Sequence, residues 1–317
     1  MLHFIKSGIL TTIQDLGRNH YQLLGINPSG AMDKMAVRLI NILLGNDENE
    51  GVIEMHFPAP EILFENDCQI AIGGADFNGK IGDLKIENWK IYSIKAGNIL
   101  KFTKKKFGAR AYLVIKGGFD IEKWLGSVST NLLANAGGKL IEKGDRITFK
   151  IKNFDKNYDS NLRLGNSVLP NYYSKKIRIL AGNEYQDLDK KSLQLLDNQE
   201  LTIKNDSNRM GYRLEGKQLF LQEKLELISS AVTFGTIQLL PDGQLIILMA
   251  DHQTTGGYPR IGHVIAEDLS ILAQLNANDS IKFQIIDLKT AENLLISKEN
   301  DLRKLKATIK LMTKMTK

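Results

Sequence analysis

Short runs of aliphatic and β-branched residues, closed by glycine, asparagine or aspartate, recur along most of the chain. Gln69-Ile70-Ala71-Ile72, Ala111-Tyr112-Leu113-Val114-Ile115, Lys176-Ile177-Arg178-Ile179-Leu180 and Leu245-Ile246-Ile247-Leu248-Met249 have strand length and turn formers at their ends. One device is repeated. Ala96-Gly97-Asn98 before Ile99–Phe102, Lys143-Gly144-Asp145 before Arg146–Phe149, and Ala277-Asn278-Asp279 before Ser280–Phe283 each set a residue tolerant of positive φ ahead of an alternating strand. Reuse of a turn by barrel strands accounts for this, with internal duplication of a barrel unit as the alternative. Helical spacing marks three stretches. Met32, Ala36, Leu39, Ile40 and Leu43 lie between a capping Asp33 and a terminating Gly45; Val264, Leu269, Leu272 and Leu275 predict a helix over about 263–275; Leu302, Leu305, Ile309 and Met312 predict one in the tail. The pattern predicts a mainly β protein in two β-rich lobes with a few flanking helices. The lobes are residues 1–152 and 171–290, joined by a polar linker or long loop at 153–170 and followed by a basic amphipathic helix at 291–317.

Composition narrows the classes. The 317 residues are 43% hydrophobic and 25% charged, ordinary for a folded protein of one large or two modest domains. The net charge is +6, and the stretch from Ala291 onward, with seven basic against three acidic residues, carries four of the six. Only 7% of residues are aromatic and no basic stripe interleaves with them, which argues against nucleic acid. No apolar run approaches the ~20 residues of a membrane span, and Met1–Lys6 is too short for a secretory signal. A single cysteine, Cys68, excludes an internal disulfide and points to a reducing, cytoplasmic setting.

Gly74–Ile81 nearly spells a phosphate-binding loop, but Ile81 stands where a magnesium-binding hydroxyl is needed, so a β-turn is expected. The five histidines lack ligand spacing, so no metal site is expected. Three segments are richer in functional groups than a scaffold needs. Thr11–Arg18 with Gly25–Asp33 ends at a helix N-terminus, where backbone N–H groups favour an anion. In Asn205–Gly216, alternation places Arg209 and Arg213 on one face, able to clamp a carboxylate or phosphate or to pair with Asp206 and Glu215. Ala250–Gly262 follows an apolar strand with Asp251, hydroxyls on Thr254 and Thr255, close-approach glycines at Gly256 and Gly257, and Arg260.

Gln14-Asp15-Leu16-Gly17-Arg18, Pro28-Ser29-Gly30-Ala31-Met32-Asp33, Ser207-Asn208-Arg209-Met210-Gly211-Tyr212-Arg213-Leu214 and Gln253-Thr254-Thr255-Gly256-Gly257-Tyr258-Pro259 together resemble the biotin-dependent carboxyltransferase family, also called allophanate hydrolase subunit two. The resemblance runs from Thr11 to about Phe283. It implies a cyclophilin-like β-barrel architecture, with residues 171–290 as a barrel lobe. It also implies one component of an ATP-dependent 5-oxoprolinase that opens a lactam to L-glutamate, beside a homologous B subunit (KipI-like) and an A subunit. ATP, with Mg, would be shared with a partner subunit, and a homo-oligomer is compatible. In that setting Arg209 and Arg213 are expected as clamps and Asp251 as the base. Ser29, Asp33, Gln253, Thr254, Thr255, Gly256, Gly257, Tyr258 and Arg260 are expected to bind substrate or phosphate. The family's other activities give two alternatives: carboxyl transfer from carboxybiotin to urea or a related amide, and non-catalytic, KipA-like binding of a kinase inhibitor. Val128, where the family usually has a basic residue, supports the last. Two further departures are a shortened insertion before Leu140 and Ala181-Gly182-Asn183 in place of a Gly-Pro turn.

Overall fold

Three of the strand-like runs lie wholly in strands, Cys68–Asp76, Phe107–Ile115 and Lys176–Ala181, and the fourth forms the strand Leu245–Leu248, which stops one residue short of Met249. This computed structural model describes residues 1–132, 134–150 and 162–315. They gather into two units. One comprises Met1–Arg18, Asp33–Pro170 and the chain from Glu299; the other comprises Asn19–Met32 and Asn171–Lys298. Residues 153–161 of the predicted linker lie outside the described residues. Its far end is tied to the first unit, where Ile91 N donates to Leu162 O at 3.0 Å and Leu164 N donates to Trp89 O at 2.8 Å.

The repeated turn device has one geometry in all three places. Gly97, Gly144 and Asn278 take φ of 87°, 91° and 69°. The residue after each, Asn98, Asp145 or Asp279, donates its N–H to the carbonyl three back, at 3.1, 3.2 and 3.2 Å. Its side-chain oxygen accepts from the N–H of that same residue, Lys95, Glu142 or Asn276, at 3.4, 2.8 and 2.7 Å. The Asx side chain thus closes the turn from within, and an alternating strand follows.

In the first unit, two antiparallel sheets of six and five strands share a core that includes Leu2, Phe4, Ile53, Phe64, Ile72 and Leu113. Helix α1 (Lys34–Leu44) packs on the five-stranded sheet. A Cβ at Gly73 would lie 2.6 Å from Ile40 Cγ2, so that glycine admits the helix. Asp33 caps α1 by accepting from Ala36 N at 2.9 Å, and Gly45 ends it at φ 70°.

The second unit is a closed barrel of seven strands. Their order is Lys176–Ala181, Arg260–Val264, Thr236–Leu239, Leu245–Leu248, Gly211–Glu215, Leu201–Ile203 and Ser280–Ile285. Parallel pairing of Ile177 with Phe283 and Ile179 with Ile285 closes it, and Ile179, Leu214, Ile237, Ile247 and Ile281 fill it. Two helices belong here: α2 (Lys190–Asn198), capped by Asp189, and α3 (Ala266–Ala273). The helix predicted from about His263 begins later, because His263 and Val264 complete a strand that pairs on both sides. The tail is helical, α4 (Leu288–Met315), and starts where Asp287 accepts from Thr290 N at 2.7 Å. Within the first unit Leu302 and Ile309 are buried, while Met312 is 47% exposed and ends the apolar stripe. No helix among the described residues is long and apolar enough to cross a membrane.

Candidate active site

On the outer wall of the barrel, Arg213, Ile246 and Gln238 form one cross-strand row, and Gly211 stands opposite Leu248 in the next outward row. A Cβ at Gly211 would lie 2.7 Å from Ile246 Cδ1, so glycine leaves the floor open to that side chain. The groove above holds about 460 Å³. Arg213, Asp206, Asn208, Gln238 and Gln253 give it polar walls, and Met210, Tyr258, Leu240 and Pro241 give it apolar ones. Arg213 is half exposed, and its Nε lies 3.4 Å from Asp206 Oδ2, an equally open partner.

Arg209 does not share this groove face with Arg213. Asn208 Oδ1 accepts from Met210 N at 2.8 Å, forming a turn before the strand that breaks the alternation. Arg209 is buried instead. Its Nε and Nη2 donate to Asp251 Oδ2 and Oδ1 at 2.7 and 3.1 Å, and Nη2 also donates to Gly30 O at 2.6 Å. Asp251 is buried as well, and Asn27 Nδ2 donates to its carbonyl at 3.1 Å. Segment 27–30 is therefore held at one end by the Arg209 guanidinium and at the other by the Asp251 backbone carbonyl. Between those ends Ser29 sits at φ 53°, buried, and its Oγ has no hydrogen-bond partner among the described residues.

The other predicted residues divide by place. Gln253 and Tyr258 line the groove with Arg213. Thr255 and Gly256 pair with Ala231 and Ser230 in a two-stranded ribbon, and Thr254 O accepts from Val232 N at 3.1 Å. A Cβ at Gly256 would stand 2.6 Å from Gln238 Nε2, so this glycine permits the ribbon's close approach; Gly257 is less crowded. Arg260 is engaged by Glu184, which accepts from its N, Nε and Nη2 at 2.7, 3.0 and 2.7 Å. These bonds hold the Glu184 carboxyl below its usual range and raise the Arg260 guanidinium. Asp33 lies in the first unit, fully buried, its carboxylate spent on capping α1.

Other chemistry-bearing groups escaped the sequence reading. In the first unit, Asp33 N donates to Tyr112 Oη, and that hydroxyl donates to Glu54 Oε2, both at 2.9 Å. Burial pushes the Tyr112 phenol well up, and the charges of Glu54 and Asp33 push the same way. Strand register alone brings Glu54 opposite Tyr112, so no local pattern announces them. The Gln14–Arg18 stretch is scaffold. Asp15 accepts from Ser127 Oγ, Ser129 Oγ, Val128 N and Gly17 N, and the Arg18 guanidinium lies 4.7 Å above the Trp124 ring. Val128 is a core residue, in apolar surroundings that would penalise a basic side chain.

Residues 24–285 match the family described as carboxyltransferase domain, subdomain A and B. The chain is 40% identical over 286 residues to the C subunit of 5-oxoprolinase from Haemophilus influenzae, covering 89% of this chain and 90% of that one. To the 5-oxoprolinase C subunit of Escherichia coli it is 36% identical over 296 residues, covering 92% and 93%. It is 28% identical to urea amidolyase of Saccharomyces cerevisiae over 95% of this chain but only 17% of that protein. Among solved structures, the urea amidolyase of Kluyveromyces lactis superposes with a TM-score of 0.89 at 26% identity, over 96% of this chain and 20% of that one. Its mainly β architecture, its barrel and the span of these matches make this chain a member of the carboxyltransferase-domain family.

Proposed function

We propose that this chain is the C subunit of a 5-oxoprolinase and works with A and B subunits to open the lactam of 5-oxoproline to L-glutamate. Similarity along nearly the whole length of two chains named as 5-oxoprolinase C subunits, at 40% and 36% identity over 90% and 93% of their lengths, carries the reading. The barrel groove suits a small ring that bears a carboxylate. An exposed ion pair such as Arg213–Asp206 is worth only ~0–1 kcal/mol, so its guanidinium is readily given up to a ligand. Gln238, Gln253 and Asn208 offer amide donors and acceptors for the lactam N–H and C=O, while Met210, Tyr258 and Pro241 cover its methylene edge.

A lactam resists water because nitrogen delocalises onto the carbonyl; ATP, bound with Mg in the assembled enzyme, supplies a phosphoryl group that removes this protection. The glycine-rich stretch from Gly74 does not fit the nucleotide. Its strands Cys68–Asp76 and Gly79–Ile81 are joined at Phe77-Asn78, and the strand Leu84–Ile86 follows where a phosphate loop opens a helix. In this reading the nucleotide site draws on a partner subunit.

Reconstitution of the three subunits tests the proposal. Turnover of 5-oxoproline coupled to ATP hydrolysis should require this chain, and Arg213→Ala should raise KM for 5-oxoproline about tenfold with little change in melting. Undiminished turnover without this chain would sink the reading. The urea amidolyase relatives favour a second reading, carboxyl transfer from carboxybiotin to urea or a related amide. Urea-dependent discharge of carboxybiotin, without lactam turnover, would establish it.

A further inference from the structure

The outer face of the six-stranded sheet carries a line of like charges. Lys80 stands directly opposite Lys85 on one neighbouring strand and Lys101 on the other. The line continues to Glu61, whose Oε2 lies 3.7 Å from Lys101 Nζ, and then to Lys6, which stands opposite Glu61 and donates to it. With neighbouring strands ~4.8 Å apart, four ammonium groups are strung along about 19 Å. Lys85 has Glu87 at 3.6 Å, but Lys80, exposed between two lysines, has no ion-pair partner among the described residues. Beyond Ile99–Phe102 the chain adds Lys104, Lys105 and Lys106. They are held beside the same strands, where Thr103 N donates to Asn78 O at 3.4 Å and Lys106 N to Asp76 O at 2.8 Å. Residues 76–87 and 99–107 together hold six lysines against three acidic residues. Lysines directly opposite one another destabilise a sheet. One on the edge strand Leu84–Ile86 is explained, since a charge there blocks pairing with another chain. Lys80 and Lys101 lie on strands paired on both sides, where no edge needs guarding.

We propose that this lysine face is a docking surface for an acidic face of a partner subunit. The proposal rests on the function stated above for the identity of that assembly, and adds which surface of this chain enters it. Charge complementarity selects the occupant. A second copy of this chain carries the same +6 and the same row, so it is repelled. A nucleic-acid backbone meets Glu61, Asp83 and Glu87 among the lysines, whereas carboxylates on a protein face can be set against the lysines alone. The lysines are exposed, so their ammonium groups keep their water in the free chain and act mainly by steering the partner and fixing its orientation.

The test uses the full chain with separately purified A and B subunits. Its variants are Lys80→Glu, the double variant of Lys80→Glu with Lys104→Glu, and, as a control on the turn before the opposite edge strand Arg146–Ile147, Lys143→Glu. Lys80→Glu sets a carboxylate between Lys85 and Lys101, so it should melt at or above the wild-type temperature. The same variant should raise the Kd for one subunit about tenfold and the double variant about a hundredfold, while kcat at saturating subunit concentrations stays unchanged. Lys143→Glu should bind as the wild type does. Wild-type association should slow about tenfold between about 50 and about 500 mM salt, and the double variant should lose most of that dependence. A purely structural row would move melting without moving Kd. Kd values within twofold of wild type for both subunits in the double variant, an equal loss in Lys143→Glu, or no binding of the wild-type chain to either subunit would each overturn the proposal. Capture of single-stranded DNA by the wild-type chain but not by the double variant, with subunit binding unaltered, would assign the face to nucleic acid instead. Turnover separates this proposal from the function it rests on. Charge-dependent assembly without 5-oxoproline turnover removes the function and keeps the docking surface, and turnover by a charge-independent assembly does the reverse.

Discussion

Burial of His263 penalises its protonated form. Its Nε2 lies 2.7 Å from Thr233 Oγ1 and its Nδ1 lies 3.3 Å from Thr236 Oγ1; burial lowers its pKa, and the nearby His252 lowers it further. The unfolded chain takes up this proton near pH 6.5, whereas the folded chain resists it. Stability is therefore fully present above about pH 6.5 and declines as pH falls toward the lower folded value, a window distinct from that of the carboxylates. Urea midpoints measured from pH 7.5 to 5 should fall for the wild-type chain and flatten in His263→Gln; parallel slopes would remove His263 as the cause. The same scale shows how much of the candidate site was legible. Arg209, Arg213, Asp251 and Tyr258 stand out in sequence because charged and aromatic residues crowd beside glycines there. Which of them pair did not, because the turn at Asn208 separates Arg209 from Arg213 and the Arg209–Asp251 pair joins residues 42 positions apart. Glu54 and Tyr112 carried no local signal at all, since their meeting depends on strand register.

Elements were easier to read where local chemistry fixes them. The three Asx-closed turns announce their strands because one residue supplies the turn's side-chain bond and its neighbour the positive φ. Helix α2 went unseen: of its nine residues only Ser192 and Leu196 are buried, so its apolar stripe is too thin to register. Helix α4 was visible by spacing, and its attachment is now explicit. Arg38 Nη1 and Nη2 each donate to Glu299, Nη2 at 2.8 Å to Oε2, and Glu48 bridges Arg38 at 2.8 Å and Lys306 at 3.0 Å. These bonds orient the helix, but the buried apolar residues supply most of the stabilisation. Leu302→Ala should cost on the order of 3 kcal/mol, and Glu299→Gln about 1 kcal/mol. Met312→Ala, on the exposed side, should cost less than about 0.5 kcal/mol. Urea unfolding of the full chain measures all three, and equal losses at Leu302 and Met312 would reject this packing.

At the scale of the whole molecule, the sequence announced a β-rich chain and concealed how its segments are shared. No composition shift marks Asn19–Met32 as belonging with the barrel, because a segment's allegiance is written in distant contacts such as Arg209 to Gly30. Nor does any periodicity show that the chain from Glu299 belongs with its first residues. That last division has a consequence in the cell. On the ribosome, residues 171–298 are made before Glu299, so the barrel's strands are all available while the earlier unit still lacks Leu302, Ile309 and the carboxylate that receives Arg38. Domains fold as units during synthesis, usually in order from the N-terminus. Here the order is inverted at the last step: the unit begun first is completed last. Nascent chains stalled before Glu299 and probed by brief proteolysis should show a protected barrel and a cleavable first unit, with protection of the latter arriving only once the final helix emerges. Protection of both units before that point would refute the inversion.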